Sequence, residues 1–273
     1  MSESAVRVRT RVERSVEATW RALVDPLEVT RWFGELERPW QVGRENRVDF
    51  GDGDFFTATA VEIVDRRRLD FEWSFLGLGP VARIRWSVTV LPDGTEVEVV
   101  DREPDRTPAE VDQMVAGWTD FFERLERYLR TGENTRYGWR EDIDGSVDLP
   151  RAAFPVLERD ELYRWLPVAT DGFEPSWFFV VDDQGPRRFR LTEWRAEPDR
   201  VNFSVEVPGA RRPTSCTVTV EHLANADRLA FSHSGWGATG LPDRRAHELR
   251  RRFAATWTAA LRKAGDIARN GNG

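Results

Sequence analysis

The side chains of this chain with the reach to act on or hold another molecule are three histidines, one cysteine, scattered carboxylates and a large stock of rings, 12 Trp and 16 Phe in 273 residues. His222, His233 and His247 stand apart from one another, and none pairs with a Cys or an acid at a metal-ligand spacing, so no metal site is expected. His233 has the best claim to a role, at a strand end facing an expected cavity mouth, although structural hydrogen bonding is the commoner fate of a lone imidazole. Glu96 with Glu98, and Asp142 with Asp144, have the make-up of acid and base pairs. The first pair alternates with Val97 and Val99, which predicts a solvated strand face, and the second falls in a linker. Cys216 alone allows no intramolecular disulfide. There is no Gly-x-Ser-x-Gly elbow, phosphate loop or dinucleotide fingerprint. No catalytic residue and no cofactor is therefore expected.

Binding rather than bond-making is the chemistry that the rings offer. Trp32, Phe71, Trp73, Phe75, Trp86, Met114, Trp118 and Phe121 in the first half, with Trp165, Trp194, Trp236, Phe253, Trp257 and His233 in the second, form the candidate ligand-binding set. Each taken singly is core. Taken together, so many large flat side chains pack poorly without gaps or a ligand. Leu76-Gly77-Leu78-Gly79-Pro80 reads either as an apolar gate beside an entrance or as a buried hairpin tip.

The elements that must position these residues come in two copies. Glu17-Ala18-Thr19-Trp20-Arg21-Ala22-Leu23, Arg31-Trp32-Phe33-Gly34 and a helix with Gly117-Trp118 recur, about 134 residues later, as the segment from Ala152, Arg164-Trp165-Leu166-Pro167 and a helix with Thr256-Trp257. In the first copy Val6, Val8, Thr10 and Val12 alternate with arginines as a half-buried strand. Ser15 caps a helix over 16–24, which Asp25-Pro26 ends before a second short helix. Strands follow at 47–50, 55–64, 69–75, 81–91 and 95–102, with Gly51-Asp52-Gly53 and Pro92-Asp93-Gly94 as turns. Thr107-Pro108-Ala109-Glu110 is a capping box opening a helix of roughly 34 Å that Gly132 ends. Gly117, lacking a β-carbon, is expected to bring this helix close to the sheet or a ligand. The second copy predicts strands at 176–181, 187–194, 200–207, 214–222 and 228–233 and a last helix from Asp243, whose Arg250-Arg251-Arg252 reads as its wet side. The fold class is α+β, with one domain at 1–132, a linker at 133–145 and a divergent second domain at 146–269. Tyr137 and Trp139 in the linker predict docking of the halves as a fixed pseudo-dimer within a monomer, and the tail from Asn270 is expected to be disordered.

Charge and hydropathy narrow the partners. A formal net charge of −7 argues against nucleic acid. The longest apolar run, Trp177 to Val181, is far short of a membrane span, and Met1-Ser2-Glu3-Ser4 does not open a secretory leader, so a cytoplasmic location is expected.

Strand, two short helices, a run of antiparallel strands and one long helix resemble the helix grip of the Bet v 1-like, or START-type (SRPBCC), superfamily. Within it the chain resembles the activator-of-Hsp90-ATPase-homologue family. The resemblance rests on residues 16–26, Arg31-Trp32-Phe33-Gly34 and Gly117-Trp118 with Phe121-Phe122 and Leu125 in the first copy, and on residues 164–167 and Phe231-Ser232-His233-Ser234-Gly235-Trp236 in the second. The first copy has Val99-Val100-Asp101-Arg102 where the family pattern has a His-x-Gly strand end, and the second has Thr256-Trp257 for the Gly-Trp pair. What the resemblance implies is a cavity between sheet and helix that takes a hydrophobic or polycyclic small molecule, a secondary metabolite or its precursor, for biosynthesis or self-resistance. Polyketide cyclase or aromatase activity and Hsp90-type co-chaperone action are the alternatives it leaves open. The better-enclosed cavity is expected in the first copy, which has the denser aromatic strand faces.

Overall fold

In the computed structural model, which describes residues 5–104, 106–136, 138–151, 156–182 and 185–270, the strand-period segments become two antiparallel sheets of seven strands. The first holds β1 (Ala5–Val12), β2 (Glu35–Leu36), β3 (Glu45–Asp49), β4 (Phe55–Val64), β5 (Arg68–Phe75), β6 (Ala82–Leu91) and β7 (Gly94–Arg102) in the order β1-β7-β6-β5-β4-β3-β2. The second holds β8 (Ile143–Pro150), β9 (Val168–Ala169), β10 (Trp177–Asp182), β11 (Gly185–Glu197), β12 (Arg200–Glu206), β13 (Thr214–His222) and β14 (Ala226–Ser234) in the order β8-β14-β13-β12-β11-β10-β9. Each strand of the second sheet is the first sheet's counterpart moved on by seven. The repeat read from sequence is thus a repeat of topology, two tandem helix-grip domains.

Local chemistry sets the helices. Ser15 Oγ accepts the Ala18 amide at 3.3 Å to start α1 (Val16–Val24). Asp25 closes that helix with its own amide on the Arg21 carbonyl and opens α2 (Pro26–Val29) with Oδ1 on the Leu27 amide at 2.9 Å, so one residue sets the corner between them. The capping box of α3 (Pro108–Thr131) is closed in both directions, Glu110 N to Thr107 Oγ1 at 3.3 Å and Thr107 N to Glu110 Oε2 at 2.6 Å. Gly132 ends it at φ 75°, a conformation that favours glycine. In the second unit the helices are α4 (Arg159–Trp165) and α5 (Asp243–Asn270).

The outer face of the first sheet carries paired charges. Glu98 holds Arg7 at 2.9 Å and Arg9 at 2.7 Å, and Asp70 holds Arg85 through two bonds of 2.9 Å. Glu98 is therefore engaged on a solvated face, where such pairs contribute little each. Among the described residues no helix is long and apolar enough to cross a membrane.

Several boundaries differ from the sequence reading. β8 starts at Ile143, inside the stretch read as linker, because Ile143, Val147 and Leu149 bury one strand face. β2 and β9 span two residues each, too few to show a period. Val90, which continues the alternation of Ile84, Trp86 and Val88 near the end of β6, is 68% exposed. The chain divides into two compact units, Met1–Gly51 with Phe55–Gly138, and Asp52–Asp54 with Trp139–Gly273. Arg250, read as wet, is a fully buried member of the second of these units, donating to Asp54 Oδ2 at 2.9 Å and to the Asp52 carbonyl at 2.6 Å. Burial pushes the Asp54 carboxyl up against the pull of Arg140 and Arg250. Ala152–Pro155, Tyr137 and residues 271–273, where a helical segment, part of the linker contact and a disordered tail were expected, lie outside the described residues.

Candidate ligand-binding site

Strand alternation turns Phe71 and Trp73 of β5 and Ile84, Trp86 and Val88 of β6 inward, and helical spacing brings Trp118, Phe122 and Leu125 of α3 against them. Trp32 and Phe33, at the corner after α2, complete the interior. Trp73 and Trp118 stack at 5.3 Å between ring centres, Phe33 and Phe121 meet edge-on at 4.6 Å, and Phe56 lies on Trp73 at 3.9 Å. Trp86 stands at 5.2 Å from Phe71 and 6.0 Å from Trp32. Each ring buried in this way removes on the order of 200 Å² from water, about 5 kcal/mol of hydrophobic stabilisation before entropy is charged against it.

Polar groups fix the rings. Trp32 Nε1 donates to the Ala22 carbonyl at 2.9 Å, and Trp165 Nε1 donates to the Val156 carbonyl at the same distance, the same corner bond in each copy. Trp118 Nε1 donates to Asp101 Oδ2 at 2.9 Å, and Arg106 holds Asp101 Oδ1 at 3.0 Å. In the second unit Trp257 Nε1 donates to His233 Nδ1 at 3.1 Å. Asp101 and His233 occupy corresponding places in β7 and β14, beside the first strand of each copy, where Asp101 faces Val6 and His233 faces Ile143. The position that departs from the His-x-Gly pattern in the first copy thus keeps the role of acceptor for the helix indole.

His233 is wholly buried. With Nδ1 accepting from Trp257, the neutral ring carries its proton on Nε2 and donates to Thr214 Oγ1 at 2.7 Å. Burial, with a smaller contribution from Arg250, lowers its pKa to about 3. The imidazole placed at a cavity mouth by sequence reasoning is instead an interior strut with both nitrogens in use. Around it Phe253 touches Trp236 at 5.1 Å and Phe178 at 5.5 Å, and Trp257 stacks on Phe231 at 4.4 Å.

The structure brings Trp32, Phe71, Trp73, Trp86, Met114, Trp118 and Phe121 to one interior, with Phe75 reaching it through Phe56 at 5.1 Å. Trp236, Phe253, Trp257 and His233 come together in the other, Trp194 joins at its margin by stacking on Phe203 at 5.1 Å, and Trp165 is buried in α4. Sequence reasoning missed Phe33, Phe50, Phe56 and Phe122 in the first interior and Phe178, Phe203 and Phe231 in the second. Phe33 sits inside the quoted Arg-Trp-Phe-Gly motif, and Phe178 and Val180 alternate inward within the apolar run, so both signals were present. Gly117 does not act as expected: a β-carbon there meets nothing within 4 Å, so close approach is not what glycine provides. Leu76, read as part of a gate or a buried tip, is 2% exposed, with its amide on the Phe55 carbonyl.

Two fully buried indoles, Trp86 and Trp236, have no hydrogen-bond partner for Nε1 among the described residues. Nor, among those residues, does any group of three His, Cys, Asp or Glu side chains stand where it could hold a metal ion.

This geometry agrees with the family comparison. The model for "Activator of Hsp90 ATPase homolog 1-like protein" matches residues 13–130. DynU16, a protein in the dynemicin biosynthetic locus, is 46% identical, with a TM-score of 0.94 over 98% of this chain and 100% of its own. Residues 13–130 belong to the activator of Hsp90 ATPase homologue 1-like family, and the whole chain is a relative of DynU16. Protein MLL2253 from Mesorhizobium loti is 24% identical with a TM-score of 0.43, over 47% of this chain and 98% of its own. CalU16 from Micromonospora echinospora is 20% identical with a TM-score of 0.41, over 47% of this chain and 77% of its own. No curated protein matches the chain.

Proposed function

We propose that this family member binds an apolar polycyclic small molecule, a natural product or a precursor of one, between sheet and long helix, without transforming it. The observation that carries the reading is the likeness to DynU16 over 98% of this chain and all of that one, since that protein stands in a natural-product biosynthetic locus. The aromatic interiors supply the flat apolar contact such a molecule needs. The unpartnered Nε1–H groups of Trp86 and Trp236 add a chemical preference. A buried donor without an acceptor costs about 1–3 kcal/mol, and a carbonyl or phenol oxygen on the ligand would recover it. The expected occupant is therefore an oxygenated polycycle rather than a plain hydrocarbon.

A cyclase or aromatase would call on polar groups inside a pocket, for which His233, Arg31 and Arg164 are the candidates, and each is engaged within the protein. His233 is engaged at both nitrogens, Arg31 donates to the Gly132 carbonyl, and Arg164 pairs with Glu161. Native mass spectrometry of the full chain with anthraquinone and anthracene separates the possibilities. A retained 1:1 or 2:1 complex with the quinone, weaker with the hydrocarbon, is the expected result; no retained complex with either removes the proposal.

A further inference from the structure

A recess of about 450 Å³ opens on the second unit where β10, β11 and the end of β12 meet the turn that follows them, within the size range of small-molecule sites. Strand pairing explains its lining. Trp177 of β10 lies opposite Arg190 of β11, and Arg190 lies opposite Glu206 of β12, so three neighbouring strands present these side chains in one row. Arg188, two residues before Arg190, points the same way and lies over the Trp177 ring at 4.5 Å. The indole is held by its Nε1–H on Asp171 Oδ2 at 2.5 Å. Arg211 and Arg212 close the recess from the turn. Phe189, between the two strand arginines, faces the opposite way and packs on Phe253 at 4.8 Å while lining the recess floor.

The charge here runs against the rest of the molecule. The chain has a net charge of −7 and its sheet-face arginines are mostly laddered with carboxylates, as Arg7, Arg9, Arg83 and Arg85 are. In the recess Glu206 is the single acid among the lining residues. Among the described residues Arg190, Arg211 and Arg212 form no ion pair. Four guanidiniums around one carboxylate leave a local excess of positive charge, and a guanidinium is built to take a carboxylate with two donors and to stack on a ring.

We propose that this recess is a second binding site, separate from the aromatic interiors, for a planar aromatic carboxylate. The ring lies against the Arg188–Trp177 stack, and the carboxylate is taken by Arg190 with Arg211 and Arg212. The site stands or falls independently of any ligand in the interiors, because its charged residues are exposed and do not touch them.

Calorimetric titration of the full chain with 2-naphthoate and its neutral analogue 2-naphthamide tests this. The carboxylate is expected to bind at least tenfold more tightly, to weaken as salt is raised, and to lose at least tenfold in affinity in Arg188→Gln/Arg190→Gln and in Arg211→Gln/Arg212→Gln. Both pairs are at the surface, and an unchanged melting temperature confirms that each variant is folded. Equal binding of the two naphthalenes, or undiminished binding in both double variants, overturns the site. Inorganic phosphate competing as well as naphthoate overturns the aromatic part of the assignment.

Discussion

Replacing His233 by glutamine removes the one buried titratable imidazole of the second unit while keeping an acceptor for Trp257 and a donor for Thr214. The native ring takes its proton only near pH 3, whereas an unfolded histidine takes it near 6.5. Between those values the unfolded chain binds more proton than the folded one, so the contribution of His233 is complete above pH 6.5 and is lost as the pH falls toward 3. The full span is about 5 kcal/mol, of which about 2 kcal/mol is lost between pH 7 and pH 5. Urea unfolding followed by tryptophan fluorescence, at both pH values and for both proteins, isolates this contribution, since every other group titrates alike in the pair. The wild type should lose about 2 kcal/mol more than His233→Gln over that interval. Parallel losses, or an imidazole signal in native His233 that titrates near its ordinary value by NMR, would refute the strut assignment.

Two further substitutions bear on the first unit. Trp118→Phe keeps most of the ring but leaves the buried Asp101 carboxylate without its indole donor, which should cost about 2–3 kcal/mol in urea unfolding, and a cost under about 0.5 kcal/mol would mean that this bond does not organise the interior. Gly117→Ala places a methyl group in open space within α3, so removal of a helical glycine should raise stability by about 0.5–1 kcal/mol; a lower melting temperature would show that the position needs glycine for packing after all.

The elements most legible in the sequence were those where side-chain chemistry acts locally. Alternating Val and Arg wrote β1, and Thr107, Pro108, Glu110 and Gly132 wrote both ends of α3, because a cap and a period depend on neighbours within a few residues. Two copies of a motif gave the tandem helix-grip architecture, and the aromatic set fell largely where inward alternation put it. What the sequence hid was set by distant partners. Arg250 sits at helical spacing from the buried Ala246, Phe253 and Ala254, but its charge outweighed that spacing in the reading, and the acids that bury it lie nearly two hundred residues earlier in the chain. Asp101 read as the loss of a histidine hallmark, and only the position of Trp118 shows it to be a substitute acceptor. His233 read as a residue at a mouth because a strand end is near a rim in outline, while its true surroundings are Thr214, Trp236 and Trp257.

The central claim, that the aromatic interior receives an oxygenated polycycle, is tested most directly by the indole region of a ¹H–¹⁵N NMR spectrum. The chain has 12 tryptophans, each with its own Nε1–H signal. Titration with anthraquinone should move the Trp86 signal downfield as its unpartnered donor finds an acceptor, with Trp73 and Trp118 moving through ring contact and saturating with it, and in a 2:1 complex should move the Trp236 signal downfield as well. If those four signals stay fixed while only surface indoles respond, the interior is not the binding site and the account of its function is wrong.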